Sequence, residues 1–122
     1  MNNSVFVFGS NLAGRHGKGA ALFAKQYRGA KQGEGVGLFG TSYALPTKDE
    51  NLKTLPLNVI DNYISEFCEF ARKHPSQIFE LTPVGTGLAG LPKKSIAALF
   101  KKHKIPANVY LTSSWIYEGR DD

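Results

Sequence analysis

The chain has 122 residues, 42% hydrophobic and 20% charged, with a formal net charge of +5. This predicts one globular domain over residues 1–122 with an adequate core and no room for a second. No apolar run reaches the length of a membrane span. The opening Met1-Asn2-Asn3-Ser4 has no basic segment leading into an apolar stretch, so no secretory signal is read and a cytoplasmic location is expected.

Ser4–Phe8 is short, apolar and bounded by Gly9, which predicts a buried strand. A glycine-rich turn follows, Gly9-Ser10-Asn11-Leu12-Ala13-Gly14-Arg15-His16-Gly17-Lys18-Gly19. From Lys18 to Tyr27 the apolar residues Ala20, Ala21, Phe23, Ala24 and Tyr27 recur at helical spacing, so a first helix is predicted, ending before Gly29. Gly33–Gly40 has too many glycines for a helix and sets Val36 and Leu38 at strand alternation. With Thr41–Leu45 it predicts an antiparallel pair closed at Gly40 and stopped by Pro46. Thr47–Thr54 is polar and reads as a loop. Leu57, Ile60, Ile64, Phe67 and Ala71 define the longest amphipathic helix, ended by Pro75, and Cys68 within it is expected to be a buried, inert thiol. Ile78–Thr82 reads as a strand leading into a second glycine turn, Val84-Gly85-Thr86-Gly87-Leu88-Ala89-Gly90-Leu91. Pro92 marks the start of a third helix with Ile96, Ala97, Leu99 and Phe100 on its apolar face, and Asn108–Thr112 is the last strand. Strands alternating with helices predict an α/β sandwich, without repeats, linkers or low-complexity tracts.

The two glycine turns carry the chemistry. Each follows a strand and leads into a helix, so backbone N–H groups and a helix N-terminus are expected to face one crevice. An anion that approaches a backbone so closely leaves no space for side chains, which is a physical reason for glycine at both places. A single Gly-x-Gly turn also occurs wherever a chain must reverse tightly. Two of them at strand-to-helix junctions point to a phosphate ligand, and to a diphosphate in particular. The positive charge, much of it on Lys93, Lys94, Lys101, Lys102 and Lys104, draws anions without selecting among them.

Three ordered segments add a resemblance: Gly17-Lys18-Gly19-Ala20-Ala21, Pro46-Thr47-Lys48 and Gly85-Thr86-Gly87-Leu88-Ala89-Gly90-Leu91. Together they resemble the macrodomain family, in the branch of the DNA ADP-ribosyl glycohydrolase antitoxins and the terminal ADP-ribose protein glycohydrolases. The resemblance spans residues 5 to 112 and implies a compact three-layer α/β/α sandwich with a mixed sheet, lacking the usual N-terminal strand. It implies a pocket for ADP-ribose, free or attached to a macromolecule, nucleic acid included. Gly85, Thr86, Gly87, Leu88, Ala89 and Gly90 would hold the diphosphate. Asn11 and the turn over residues 14–19, with Gly17 and Gly19, would surround the distal ribose, Gly9 and Ser10 would also bind the ligand, and Trp115 would stack on adenine. The chain departs from the family at two places. It has no aspartate in a Gly-Asp-Ile segment to recognise adenine, and Ala89 stands in a turn where the protein glycohydrolases carry an aspartate.

Cleavage of an ADP-ribosyl bond needs a group that activates a nucleophile and one that protonates the leaving group. The candidates are Lys18, between two glycines at a helix start, His16, whose imidazole could serve as acid or base, and Asp49, just beyond Pro46-Thr47-Lys48. His74 and His103 read as structural or exposed, and no residues have the spacing of a metal site or imply a cofactor. Three functions stay open: a hydrolase that removes ADP-ribose from nucleic acid or protein, a binder that senses or sequesters an ADP-ribose-derived nucleotide, and a nucleotide-binding domain unrelated to ADP-ribose.

Overall fold

The first strand is longer than its apolar run. In the computed structural model, which describes residues 4–117, β1 spans Val5–Asn11 and continues through the glycine expected to end it. A Cβ on Gly9 would lie 3.1 Å from the Gly85 backbone nitrogen. Glycine here permits close approach of two chain segments rather than a turn. The other elements are α1 (Gly19–Tyr27), β2 (Gly37–Phe39), β3 (Ser42–Lys48), α2 (Leu57–Lys73), β4 (Phe79–Leu81), α3 (Lys93–Lys102), β5 (Val109–Leu111) and α4 (Ser114–Tyr117).

The sheet has the order β2-β3-β1-β4-β5, with β2 antiparallel to β3 and all other pairings parallel. The expected antiparallel pair is therefore present, but β3 passes through Pro46 and ends at Lys48. Pro46 is tolerated because β2 pairs only as far as Ala44, and because the ladder to β1 is irregular between Ser10 and Asn11. The expected loop at Thr47–Thr54 accordingly begins as strand and closes as a tight turn, with a bridge from Lys48 to Thr54.

Alternation along the central strands sorts the two faces. Val5, Val7, Tyr43 and Leu45 join the cluster covered by α2 and α3, where Ile60, Ile64, Phe67, Cys68, Ala71, Ile96 and Phe100 are buried. Phe8 and Ala44 point the other way, against Ala21 and Ala24 of α1. The result is three layers. Burial pushes the Cys68 thiol up to about 11, in keeping with an inert core cysteine. No helix among the described residues is long and apolar enough to cross a membrane.

Two histidines fasten helix ends. The His74 ring stacks on Phe70 with centroids 4.1 Å apart. His103, at the end of α3, and Lys102 meet Asp61 of α2, with Nε2 and Nζ at 2.5 and 2.7 Å from its carboxylate oxygens. The Lys102 and His103 hydrogen bonds hold the Asp61 carboxyl below the usual carboxylate range. A lowered carboxylate pKa adds stability above the unfolded value, about 3.9, which is lost as pH falls through the folded one. Asp61→Asn is expected to lower the urea midpoint at neutral pH, with the gap from wild type closing under acid. A gap that does not change across that range would show that the ion pair contributes nothing.

Candidate functional site

Connections leaving β1 and β4 depart to opposite faces, to α1 and to α3 respectively. Neighbouring parallel strands that part in this way open a crevice at their C-terminal ends. A cleft of about 660 Å³ lies there, in the range of small-molecule sites. Gly9, Ser10 and Asn11 come from the end of β1, and Arg15, Gly17, Lys18 and Gly19 from the first turn. Thr47, Lys48 and Leu52 come from β3 and the turn beyond it, and Gly85, Thr86, Gly87, Leu88 and Ala89 from the second glycine turn.

The backbone donors of the second turn divide into two sets. The N–H groups of Val84, Thr86, Gly90 and Leu91 donate to Thr82, Pro83, Gly87 and Gly85 carbonyls at 2.7–3.2 Å. Those of Gly85, Gly87, Leu88 and Ala89 find no acceptor among the described residues. Across the cleft α1 starts without a side-chain cap, and its first internal donor is Leu22, to Lys18 at 3.2 Å. The amides of Gly19, Ala20 and Ala21 therefore also find no acceptor among the described residues, and these residues line the same cleft.

Charge on the lining is of one sign. Arg15, Lys18 and Lys48 are its charged side chains, and no carboxylate lies among the described lining residues. None of the three side-chain cations is held in an ion pair with a described residue. Lys18 is exposed on its glycine-flanked turn, whereas Lys48 is half-buried at the end of a paired strand. Among the described residues, no group of three or more His, Cys, Asp or Glu side chains could hold a metal ion.

Several expected site residues occupy other places. His16 is fully buried, its Nε2 donating to the carbonyls of Lys31 and Glu34 at 3.0 and 3.1 Å, with its ring edge on Phe8. It anchors the first turn and does not line the cleft. The Asp49 carboxylate accepts the N–H groups of Asn51 and Lys53 at 2.8 and 2.9 Å and shapes its own turn. Trp115 donates from Nε1 to the Leu81 carbonyl at 2.8 Å and packs edge-on against Phe100, so its ring belongs to the core margin. Gly90 lies beyond the lining, at the left-handed φ of 75° where the second turn closes. Asn11 and Ser10 do line the cleft, but their side chains bond to Arg15 backbone atoms and to the Gly35 carbonyl.

Lys48, Leu52 and Ser114 also line the cleft, though none was expected to hold a ligand or act in catalysis. Lys48 follows Pro46-Thr47, where a polar loop was expected. Ser114 opens the unanticipated α4, whose carbonyls at Ser114 and Trp115 accept Lys93 Nζ at 2.8 and 3.5 Å.

This mixed five-stranded sheet between helical layers, with a donor-lined cleft at its parallel strand ends, is similar in fold to a solved macrodomain. The similarity in structure is to the macrodomain of Mycobacterium tuberculosis DarG, over 90% of this chain and 89% of that one, with a TM-score of 0.64 and 19% identity. A protein of unknown function from Bacteroides thetaiotaomicron is similar over 92% of this chain and 90% of its own, with a TM-score of 0.59 and 17% identity. No protein-family model matches the sequence, and no curated protein matches it.

Proposed function

We propose that the cleft captures the diphosphate of an ADP-ribose-type nucleotide, free or attached to a macromolecule. The observation that carries this reading is the run of unpaired N–H groups at Gly87, Leu88 and Ala89, sharing a cleft with the open amides of α1. Amides that line a cleft without protein acceptors are open to an acceptor from outside, and a helix start favours an anionic one. Three cations without a facing carboxylate add to that preference. The macrodomain fold supports ADP-ribose as the bearer of the diphosphate.

Calorimetry is expected to rank ADP-ribose above AMP and ribose 5-phosphate, because only the first offers two phosphates and a second ribose. Equal affinity for AMP and ADP-ribose would remove the two-turn reading.

Capture is favoured over cleavage because the nearest acid–base candidates are committed elsewhere. His16 is buried beneath the first turn, and the Asp49 carboxylate closes its own turn. The alternative, removal of ADP-ribose from nucleic acid or protein, draws support from the unpaired amines of Lys18 and Lys48. Incubation with ADP-ribosylated DNA separates the readings. A binder releases no ADP-ribose, whereas a hydrolase releases it and loses release in Lys18→Ala or Lys48→Ala while still binding. If release occurs, Lys48 is expected to matter more, since a strand end fixes an amine more firmly than a glycine-flanked turn does.

A further inference from the structure

Two leucines stand open on a cleft whose other long side chains are cationic. Leu88, in the second glycine turn, is 69% exposed and Leu52, in the turn after β3, is 39% exposed, and both line the cleft. A single exposed leucine is ordinary, but two on one concave polar surface are not.

The backbone strengthens the case for Leu52. Its φ is +64°, a left-handed conformation that glycine or asparagine adopts readily and a branched apolar residue does not. Four hydrogen bonds hold it there. The Asp49 carboxylate accepts from Asn51 and Lys53, the Leu52 N–H donates to the Asp49 carbonyl at 3.0 Å, and the Asp49 N–H donates to the Lys53 carbonyl at 2.7 Å. Thr54 Oγ1 then donates to the Ala89 carbonyl at 2.8 Å, fastening this turn to the one that carries Leu88. Strain kept by so many bonds, at a residue facing a cleft, is the pattern of a functional position.

We infer that Leu52 and Leu88 form an apolar clamp for a planar ring on the ligand whose diphosphate meets the unpaired amides, with Asp49 positioning Leu52. The inference rests on the diphosphate reading of the same cleft. Its ring is either the base of the nucleotide or a ring joined to the far ribose. ADP-ribose carries only the first, and NAD carries both.

Titration of ADP-ribose, NAD and inorganic pyrophosphate into wild type, Leu52→Gly, Leu88→Ala, Asp49→Asn and Asp49→Ala tests the clamp. Leu52→Gly is expected to melt at or above the wild-type temperature, because glycine relieves the φ, and still bind a ring-bearing ligand about tenfold more weakly. Pyrophosphate affinity stays unchanged. A loss for both nucleotides places the base in the clamp, and a loss for NAD alone places the distal ring there. Asp49→Asn keeps an oxygen for the two N–H groups and binds as wild type, while Asp49→Ala behaves as Leu52→Gly. Wild-type affinity of Leu52→Gly and Leu88→Ala for both nucleotides overturns the clamp with the diphosphate reading intact. Wild type that binds neither nucleotide nor pyrophosphate overturns both.

Discussion

Gly35→Ala is expected to cost about 3–5 kcal/mol, lowering the melting temperature by ~10–20 °C or preventing folding altogether. A Cβ at this position would lie 2.0 Å from the Asn11 carbonyl oxygen, 3.0 Å from its carbon and 3.3 Å from the Leu12 Cα. All three are backbone atoms at the end of β1, so no side chain can swing aside. The segment cannot retreat either. Its Gly35 carbonyl accepts the buried Ser10 hydroxyl at 2.5 Å, and its Lys31 and Glu34 carbonyls accept His16 Nε2. This is how residues 31–35, which never reach the cleft, set the height of the first turn. Gly17→Ala is the control: nothing lies within 4 Å of its added Cβ and its φ is not left-handed, so its melting temperature should match wild type. Scanning calorimetry of the two variants decides the matter, and a Gly35→Ala protein as stable as Gly17→Ala would refute the packing argument.

The same glycines show what the sequence could and could not convey. Periodicity along α2 was legible because Ile60, Ile64, Phe67 and Ala71 fill one stripe against a sheet, and a stripe is a local property. The strands and both glycine turns were legible for the same reason. Boundaries at Gly9 and Pro46 were misread because each depends on a partner distant in sequence. Gly9 is a strand residue only because Gly85 comes close, and Pro46 only because β2 stops short of it. Residues of the candidate site follow this division. The cleft-lining turn around Gly87 could be picked out from the glycine pattern. The burial of His16 beneath residues 31–35 and the docking of Trp115 on the Leu81 carbonyl could not, since they are contacts between segments. Asp49 stands one residue beyond the cleft-lining Lys48, but its carboxylate serves its own turn, and Leu52, three residues on, lines the cleft.

Gly87→Val should leave the fold intact and abolish nucleotide binding, a loss of at least about a hundredfold in affinity. The two glycines of this turn play different parts. Gly85 has a φ of +79°, and an added Cβ would meet Thr47 Cγ2 at 3.2 Å and Leu91 Cδ1 at 3.3 Å, so valine there strains the backbone and crowds the core edge. Gly87 has no left-handed φ, and nothing stands within 4 Å of its would-be Cβ. Valine at 87 is therefore cheap for the protein, costing about 0.5 kcal/mol for the conformational preference of a branched residue in a turn. It is costly for an anion. The open space that its methyl groups would fill is the approach to the unpaired amides of Gly87, Leu88 and Ala89. An excluded diphosphate forfeits several charge-assisted hydrogen bonds at once, which exceeds what the cations of the cleft can restore through water. Thermal melting and ADP-ribose titration of Gly85→Val and Gly87→Val are expected to diverge, the first losing stability and the second only binding. Full affinity in a folded Gly87→Val protein would place the diphosphate elsewhere and leave those three amides without a ligand.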